Sequence, residues 1–322
     1  VVGTLQAASN FCTKAPDCEG QIPFNSSAPP SVLQCNSNST CQTVPRTERT
    51  ATTALQFPNQ MGKSIQHGII VPGSKIGIDY DLGRLTKCRN THNGYPAWDI
   101  RVSVKFMPSG AVTEASVNGM LVPERRLQLD GTSGYTEVEV PAGTQQVIVW
   151  GYNQSSDSSG QCQDWDSNGG SNYTFSTEAS ASAIKWVGDW GQGFSHQCVH
   201  QNGLEEPLEL TGSKTAGTCM LIDADVYASG ITDGSAEHPE KISALVEYSV
   251  DGQPTQTGWL SYQGKVGNNY RYRWNLPYSM LMTRFENYKY SFKFAAGGTS
   301  WFRVAQGVGP DGGQARTIHK AY

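Results

Sequence analysis

Five short segments of this chain recur in the same order in its second half, at offsets of 135 to 145 residues. One pair is Ile-Arg-Val-Ser-Val-Lys-Phe at 100–106 and Ile-Ser-Ala-Leu-Val-Glu-Tyr at 242–248. Another is Gln-Val-Ile-Val-Trp at 146–150 and Tyr-Lys-Tyr-Ser-Phe-Lys-Phe at 288–294. Self-similarity at a fixed period indicates that one structural unit was built twice. The repeat therefore predicts two copies of one fold, with a boundary near Ser180.

The repeated segments have the pattern of β-strands. They are short, they are rich in β-branched and aromatic residues, and several alternate between apolar and polar side chains. Turn signals with Gly, Pro and Asn separate them, and the chain contains 35 Gly and 16 Pro. About seven short strands in each copy predict an all-β protein with two tandem immunoglobulin-like β-sandwiches. The predicted domains are a Cys-rich N-terminal arm at 1–55, a first sandwich at 56–180 and a second at 181–322.

Charge and hydropathy exclude two classes of partner. The formal net charge is −4, so a basic face for nucleic acid is not expected. No stretch approaches the roughly 20 apolar residues of a membrane-spanning helix. We therefore expect neither a nucleic-acid partner nor a membrane partner.

The cysteines indicate an extracellular protein. Eight are present, no two form a Cys-x-x-Cys pair, and disulfides persist mainly outside the cytosol. The chain starts at Val1 without a Met, as expected of a mature, secreted form. The repeat places Cys88 with Cys162 in the first copy and Cys198 with Cys219 in the second, and predicts those two disulfides. The remaining four pair among themselves in an undetermined order: Cys12, Cys18, Cys35 and Cys41.

The most specific local pattern follows Cys162. Asp164, Asp166, Asn168 and Gly169 match the opening of a calcium-binding loop, in which alternate residues direct oxygens inward. The twelfth position holds Phe175 instead of the bidentate Glu, which excludes an EF-hand. A calcium site of another kind, with Asp164, Asp166 and Asn168 as ligands, remains one interpretation of this loop.

The same loop resembles a carbohydrate-binding family. The string Trp-Asp-Ser-Asn-Gly-Gly-Ser-Asn-Tyr at 165–173 is similar to the Trp-Asp-Asn-Asn-x-x-x-Asn-Tyr signature of family 21 carbohydrate-binding modules, which are β-sandwich domains that bind starch and glycogen. Ser167 departs from the family's Asn. The residues that match, and that the resemblance implies as sugar contacts, are Trp165, Asp166, Asn168, Asn172 and Tyr173. The whole chain also resembles uncharacterised secreted bacterial β-domain proteins, which imply no activity.

Two further interpretations concern structure and metal. Trp165 and Tyr173 are also suited to a core, with the loop asparagines bonding their own backbone. A copper or zinc site is also suggested by three residues that alternate along one predicted strand and so share a face: His196, Cys198 and His200. Against this, Cys198 has a predicted disulfide partner in Cys219.

Three functions remain open from sequence. The first is a secreted, non-catalytic carbohydrate-binding protein whose glycan ligand is held by loop 164–173. The second is an extracellular fibre or coat subunit that self-associates through its N-terminal arm. The third is a polysaccharide hydrolase, since no spacing among the glutamates selects or excludes a catalytic pair.

Overall fold

The structure is a computed structural model. It describes residues 31–35, 41–45, 49–92, 95–96, 98–117, 126–128, 133–157, 160–195, 197–199, 205–207, 219–250, 256–277, 287–303 and 316–319. In these ranges the chain forms strands and three single 3₁₀ turns, at Leu82–Arg84, Asn168–Gly170 and Pro239–Lys241. The predicted all-β class is confirmed. None of the described helical segments is long and apolar enough to cross a membrane.

The chain divides into two compact units. Unit 1 comprises Val1–Gln66 and Ile70–Ser180, and unit 2 comprises His67–Ile69 and Ala181–Tyr322. The strands of unit 1 are β1 (Ser31–Cys35), β2 (Cys41–Pro45), β3 (Thr53–Phe57), β4 (Ile65–His67, whose last residue belongs to unit 2), β5 (Lys75–Asp81), β6 (Thr91–His92), β7 (Tyr95–Pro96), β8 (Trp98–Met107), β9 (Val112–Ser116), β10 (Arg126–Gln128), β11 (Ser133–Glu139), β12 (Gln146–Asp157), β13 (Gly160–Asp166) and β14 (Tyr173–Ser176).

Two sheets of unit 1 share one hydrophobic core. The first has the order β11-β5-β3-β4, and the second has the order β13-β12-β8-β9 with β14 also paired to β12. Alternate residues of β8, including Ile100, Val102 and Val104, are fully buried. They pack with Ile76 and Ile78 of β5 in a single cluster. Because successive strand residues point to opposite faces, the residues between them lie on the outer face of the second sheet.

Unit 2 contains the remaining strands. These are β15 (Ile184–Ser195), β16 (Gln197–Val199), β17 (Glu205–Pro207), β18 (Cys219–Ala228), β19 (Ser243–Val250), β20 (Gln256–Trp259), β21 (Ser261–Val266), β22 (Asn269–Pro277), β23 (Asn287–Ala295), β24 (Phe302–Arg303) and β25 (Arg316–His319). Its larger sheets have the orders β15-β18-β22-β21 and β20-β19-β23-β24, with β25 also paired to β23. Val226, Tyr270, Val246 and Phe294 are buried in this unit.

The two units share several strand pairings. Antiparallel β5–β11 in unit 1 corresponds to β18–β22 in unit 2, and β8–β12 corresponds to β19–β23. β8–β9 likewise corresponds to β19–β20. One pairing differs, because β3 runs parallel to β5 whereas β15 runs antiparallel to β18. Segments that recur in the sequence thus have the same strand partners in both units.

Part of the N-terminal arm is built into unit 1. β1 and β2 form a hairpin, and β1 also pairs with β10, giving a three-stranded sheet in the order β10-β1-β2. The hairpin register sets Cys35 opposite Cys41. Cys12 and Cys18 lie outside the described residues.

A disulfide joins Cys88 and Cys162, the pairing expected from the repeat, with a Cα–Cα distance of 5.3 Å. It connects the segment after the Leu82–Arg84 turn to edge strand β13. The side chains of Cys198 and Cys219 lie outside the part that the structure describes, so their predicted disulfide stays a prediction.

Candidate functional site: the 165–173 corner and the adjacent sheet face

The 165–173 motif interrupts an edge of the second sheet of unit 1. β13 pairs with β12 from Gly151 onwards, and β14 pairs with β12 up to Val149. The loop 167–172 leaves the sheet between these two ladders. Trp165 and Asp166 are the last residues of β13, and as neighbours in a strand they point to opposite faces.

Asp166 points inward and is completely buried. The Tyr173 hydroxyl donates a hydrogen bond to its Oδ1 at 2.6 Å, and the Tyr80 hydroxyl donates to its Oδ2 at 2.8 Å. Arg84 donates to Oδ2 from Nε at 2.9 Å, and its Nη2 lies 2.7 Å from the same oxygen. A buried charge is costly unless it is paired and hydrogen-bonded, and here both conditions are met.

Arg84 also holds the neighbouring loop 58–63. Its Nη1 donates to the carbonyl oxygens of Pro58, Gln60 and Lys63, the last two at 2.6 and 3.0 Å. Its Nη2 donates to the Tyr173 hydroxyl at 2.8 Å. One guanidinium therefore fixes two loops against the core.

Burial and the neighbouring charges shift the pKa of three side chains in this corner. Burial and the charge of Asp166 raise the pKa of both Tyr80 and Tyr173. Burial lowers the pKa of Arg84, but the charge of Asp166 and its hydrogen bonds outweigh this and raise it. At neutral pH the two tyrosines therefore stay neutral and Arg84 stays charged, which suits the arrangement to holding structure.

The loop itself is a tight turn with left-handed residues. Asn168 has φ 49°, Gly170 has φ 94° and Asn172 has φ 56°. Asn and Gly adopt this region most readily, which explains why they occur here. The Asn172 amide donates to the Ser167 carbonyl at 2.7 Å, and the Asn168 Nδ2 donates to the Asn172 carbonyl at 3.2 Å. Both asparagines thus support the turn.

Trp165 lies on the outer face and is 50% exposed. Its ring packs on Tyr152 of β12, with ring centroids 4.8 Å apart and an interplanar angle of 31°. Tyr152 is only 7% exposed and donates a hydrogen bond to Glu114 Oε2 at 2.7 Å. The indole is therefore an exposed apolar surface on a fixed support.

An ion-pair network lies next to Trp165 and Tyr152 on the outer face of the same sheet. Tyr152 is the direct register partner of both Trp165 and Arg101. Arg101 donates from Nε to Asp99 and from Nη1 to Glu114, both at 2.7 Å. Asp99 has no exposed side-chain surface, whereas Arg101 and Glu114 are 26% and 39% exposed. Only one of the two carboxylates therefore reaches solvent.

The three ionisable groups around Arg101 respond differently to their surroundings. Burial raises the pKa of Asp99, although hydrogen bonds from Ser116 and Arg101 oppose it. Burial also acts to raise the pKa of Glu114, but hydrogen bonds from Tyr152 and Arg101 outweigh it and lower the pKa. Burial and the Glu114 hydrogen bond raise the pKa of Tyr152 to about 12. Of these three groups, Glu114 alone has its pKa lowered by its surroundings.

The structure separates the residues that the sequence grouped as sugar contacts. Asp166 and Tyr173 are buried, Asn168 and Asn172 bond within the turn, and Trp165 is exposed. Sequence reasoning missed Tyr152, Arg101 and Glu114. They occupy outward positions of alternating strands, but which outward residues adjoin one another depends on strand register, which the sequence does not give.

The proposed calcium ligands are also separated. The Asp166 carboxylate is already bound to a buried guanidinium, which a metal ion would have to displace. Asp164 accepts a hydrogen bond from the Lys87 amide at 3.3 Å, and Asn168 lies in the exposed turn. Among the residues that the structure describes, no three His, Cys, Asp or Glu side chains form a group that could hold a metal ion. His196 and His200 lie outside those residues.

Comparison with known proteins covers one unit. Residues 36–178 match a family described as "Family of unknown function (DUF6209)". Apart from residues 67–69, the match lies within unit 1, and it ends five residues after Tyr173. It is not a match to the family 21 modules that the 165–173 string resembles. No curated protein matches the chain.

Proposed function

We propose that this is a secreted, non-catalytic carbohydrate-binding protein that holds a glycan on the outer face of the second sheet of unit 1. The observation that carries the proposal is Trp165, half exposed and stacked on the nearly buried Tyr152. Large aromatic side chains contribute much of the energy at recognition sites because they offer a wide apolar face. The apolar C–H face of a sugar ring complements that surface.

Rigidity of the platform supports the proposal. Immobilising a mobile side chain on binding costs about 0.5–1.5 kcal/mol. Trp165 is held by the Tyr152 ring beneath it, and the adjoining Asp166 is held by Arg84. Trp165 therefore loses most of its conformational freedom when the protein folds, and little more is lost when a ligand binds. The buried corner, although it contains two of the expected sugar contacts, acts by holding Trp165 in place.

The secreted location and the finer fold form part of the same proposal. A disulfide between Cys88 and Cys162 is typical of an extracellular protein. We infer two tandem immunoglobulin-like sandwiches from the core that two sheets share in unit 1 and from the strand pairings that recur in unit 2. The resemblance of 165–173 to starch-binding modules makes α-glucans the first ligands to test.

Affinity gel electrophoresis tests the function. Wild-type protein is run through gels containing amylopectin, laminarin or galactomannan, beside Trp165→Ala and the control Val266→Ala, which truncates an exposed apolar residue of unit 2. We expect at least one polysaccharide to retard wild type and Val266→Ala equally. Trp165→Ala should bind at least about tenfold more weakly, as the loss of roughly 1.4 kcal/mol implies. Absence of retardation in every gel, or equal retardation of Trp165→Ala, would reject the proposal.

An assembly subunit is the second candidate, favoured by the arm hairpin. Among the described strands, β2 pairs only with β1 and ends the sheet β10-β1-β2, and an unpaired strand edge is suited to strand addition. Light scattering after size exclusion measures the mass in solution. A concentration-dependent oligomer would support this candidate, and a monomer at all concentrations would remove it.

A further inference from the structure

Beside the Trp165 platform, Arg101 and Glu114 place a hydrogen-bond donor and an acceptor side by side. Arg101 Nη1 and Glu114 Oε1 are 2.7 Å apart, and both side chains reach solvent. They belong to neighbouring strands, β8 and β9, and Arg101 follows Tyr152 and Trp165 in the same row of the sheet. A ligand lying on the indole can therefore extend over this pair.

Both groups keep hydrogen-bonding capacity. A guanidinium has five N–H donors, and Arg101 gives one to Asp99, one to Glu114 and one to the Tyr152 hydroxyl. A carboxylate has about four lone-pair sites, and Glu114 accepts from Arg101 on Oε1, from Tyr152 on Oε2 and from Ser103. The network fixes the two side chains without using up the atoms that a ligand would need.

Resting on the proposed function, we infer that Arg101 and Glu114 recognise two adjacent hydroxyls of a neutral sugar. One hydroxyl donates to Glu114, and its neighbour accepts from Arg101. This pair gives the site a specificity that stacking alone lacks, because an aromatic face accepts many ring types. A recognition site built on paired polar groups discriminates against ligands that leave those groups unsatisfied.

The same pair disfavours acidic sugars. A uronate carboxylate drawn to Arg101 would approach the ionised Glu114, which is already bound to that guanidinium. Like charges in contact across a binding site are costly. The lowered pKa of Glu114 keeps this repulsion in place at mildly acidic pH. The site is therefore selective for neutral over acidic polysaccharides.

The test compares one neutral and one acidic polysaccharide, amylopectin (or whichever neutral polymer wild type binds) and polygalacturonate. Glu114→Gln keeps the side-chain shape and removes the charge. Glu139→Gln, an exposed glutamate on β11, is the matched control. We expect wild type and Glu139→Gln to bind only the neutral polymer. Glu114→Gln should bind it about tenfold more weakly and should gain measurable retention on polygalacturonate. Gain of binding is a result that mere damage to the fold does not produce.

The outcomes separate the two proposals. Binding that depends on Trp165 but is unchanged in Glu114→Gln, or that prefers polygalacturonate in wild type, overturns the assignment of the pair and leaves carbohydrate binding intact. Binding that does not depend on Trp165 overturns the proposed function itself. If the melting temperature of Glu114→Gln is clearly below that of wild type, Arg101→Lys is used instead, because lysine keeps the positive charge but lacks the paired N–H donors of the guanidinium. Undiminished neutral binding by that variant also overturns the assignment.

Discussion

Units 1 and 2 repeat several strand pairings but place their ion pairs differently. In unit 1, Arg84 and Asp166 have no exposed side-chain surface and join two loops to the core. In unit 2, Arg271 and Arg273 pair with Asp225 and Asp223 across β18 and β22, and each arginine is about 30% exposed. The same two residue types thus fix loops in one unit and link adjacent strands in the other.

This difference bears on the binding surface that we propose for unit 1. Because the Arg84–Asp166 pair is buried, removal of either partner leaves an unpaired charge in the core and strongly destabilises the fold. In unit 2 the arginines of both pairs are partly exposed, so water screens these pairs more and they contribute less. The buried pair occurs where the edge strand is interrupted, next to Trp165 of the proposed platform. The three predictions that follow compare the two units.

The largest effect is expected from Arg84→Met. Loss of the guanidinium leaves Asp166 buried without a cation, which costs about 3–5 kcal/mol of unfolding free energy. The matched change Arg273→Met in unit 2 should cost less than about 1 kcal/mol. Hydrogen exchange of peptides from β8 and β12, compared with β19 and β23, measures each unit separately. Equal losses from the two variants would show that burial does not distinguish these pairs.

An intermediate effect is expected from the double variant Cys88→Ser and Cys162→Ser. The disulfide spans a sequence separation of 74 residues, and its removal should cost about 2–4 kcal/mol through the larger entropy of the unfolded chain. Faster exchange should be confined to β8, β12 and other strands of unit 1. An equal loss of hydrogen-exchange protection in β19 and β23 would show that the disulfide does not stabilise unit 1 selectively.

The smallest effect concerns acid stability. Burial acts to raise the pKa of Glu137, but hydrogen bonds from Thr50, Ala51 and Tyr135 outweigh it and lower the pKa. The resulting stabilisation is therefore full above the unfolded pKa of roughly 4.3 and is lost as the pH falls through the lower folded value. Glu137→Gln should reduce stability by about 1 kcal/mol at pH 7 and by less at pH 3.

Urea midpoints at the two pH values measure that change. Asp233→Asn in unit 2 is the control: hydrogen bonds from Tyr227 and Gly230 lower the pKa of Asp233 too, but the group is exposed. Its replacement should alter the midpoints less at either pH. A larger pH effect for Asp233→Asn than for Glu137→Gln would contradict the assigned role of Glu137.

Strand content was predictable from local pattern. Alternation of Ile100, Val102 and Val104 with polar residues identified β8, and its outward positions followed from the same alternation. The position of Cys88 and Cys162 in one copy of the repeat was enough to pair them. These inferences depend only on neighbouring residues and on order along the chain.

The candidate site was only partly predictable. The motif at 165–173 marked the corner that we propose as the site, but as a string it could not show that Asp166 and Tyr173 turn inward while Trp165 turns out. Arg84 precedes Asp166 by 82 residues in the chain, and no local rule connects them. Arg101 and Glu114 have no distinctive sequence context.

The sequence by itself determined that the chain forms β-strands, that part of its pattern recurs, and that the motif at 165–173 occurs only in the first copy. Only the tertiary structure decided which of those motif residues face water and which polar side chains adjoin them. The reason is physical: strand alternation is a property of each segment alone, whereas burial and cross-strand contact depend on register between segments far apart in the chain.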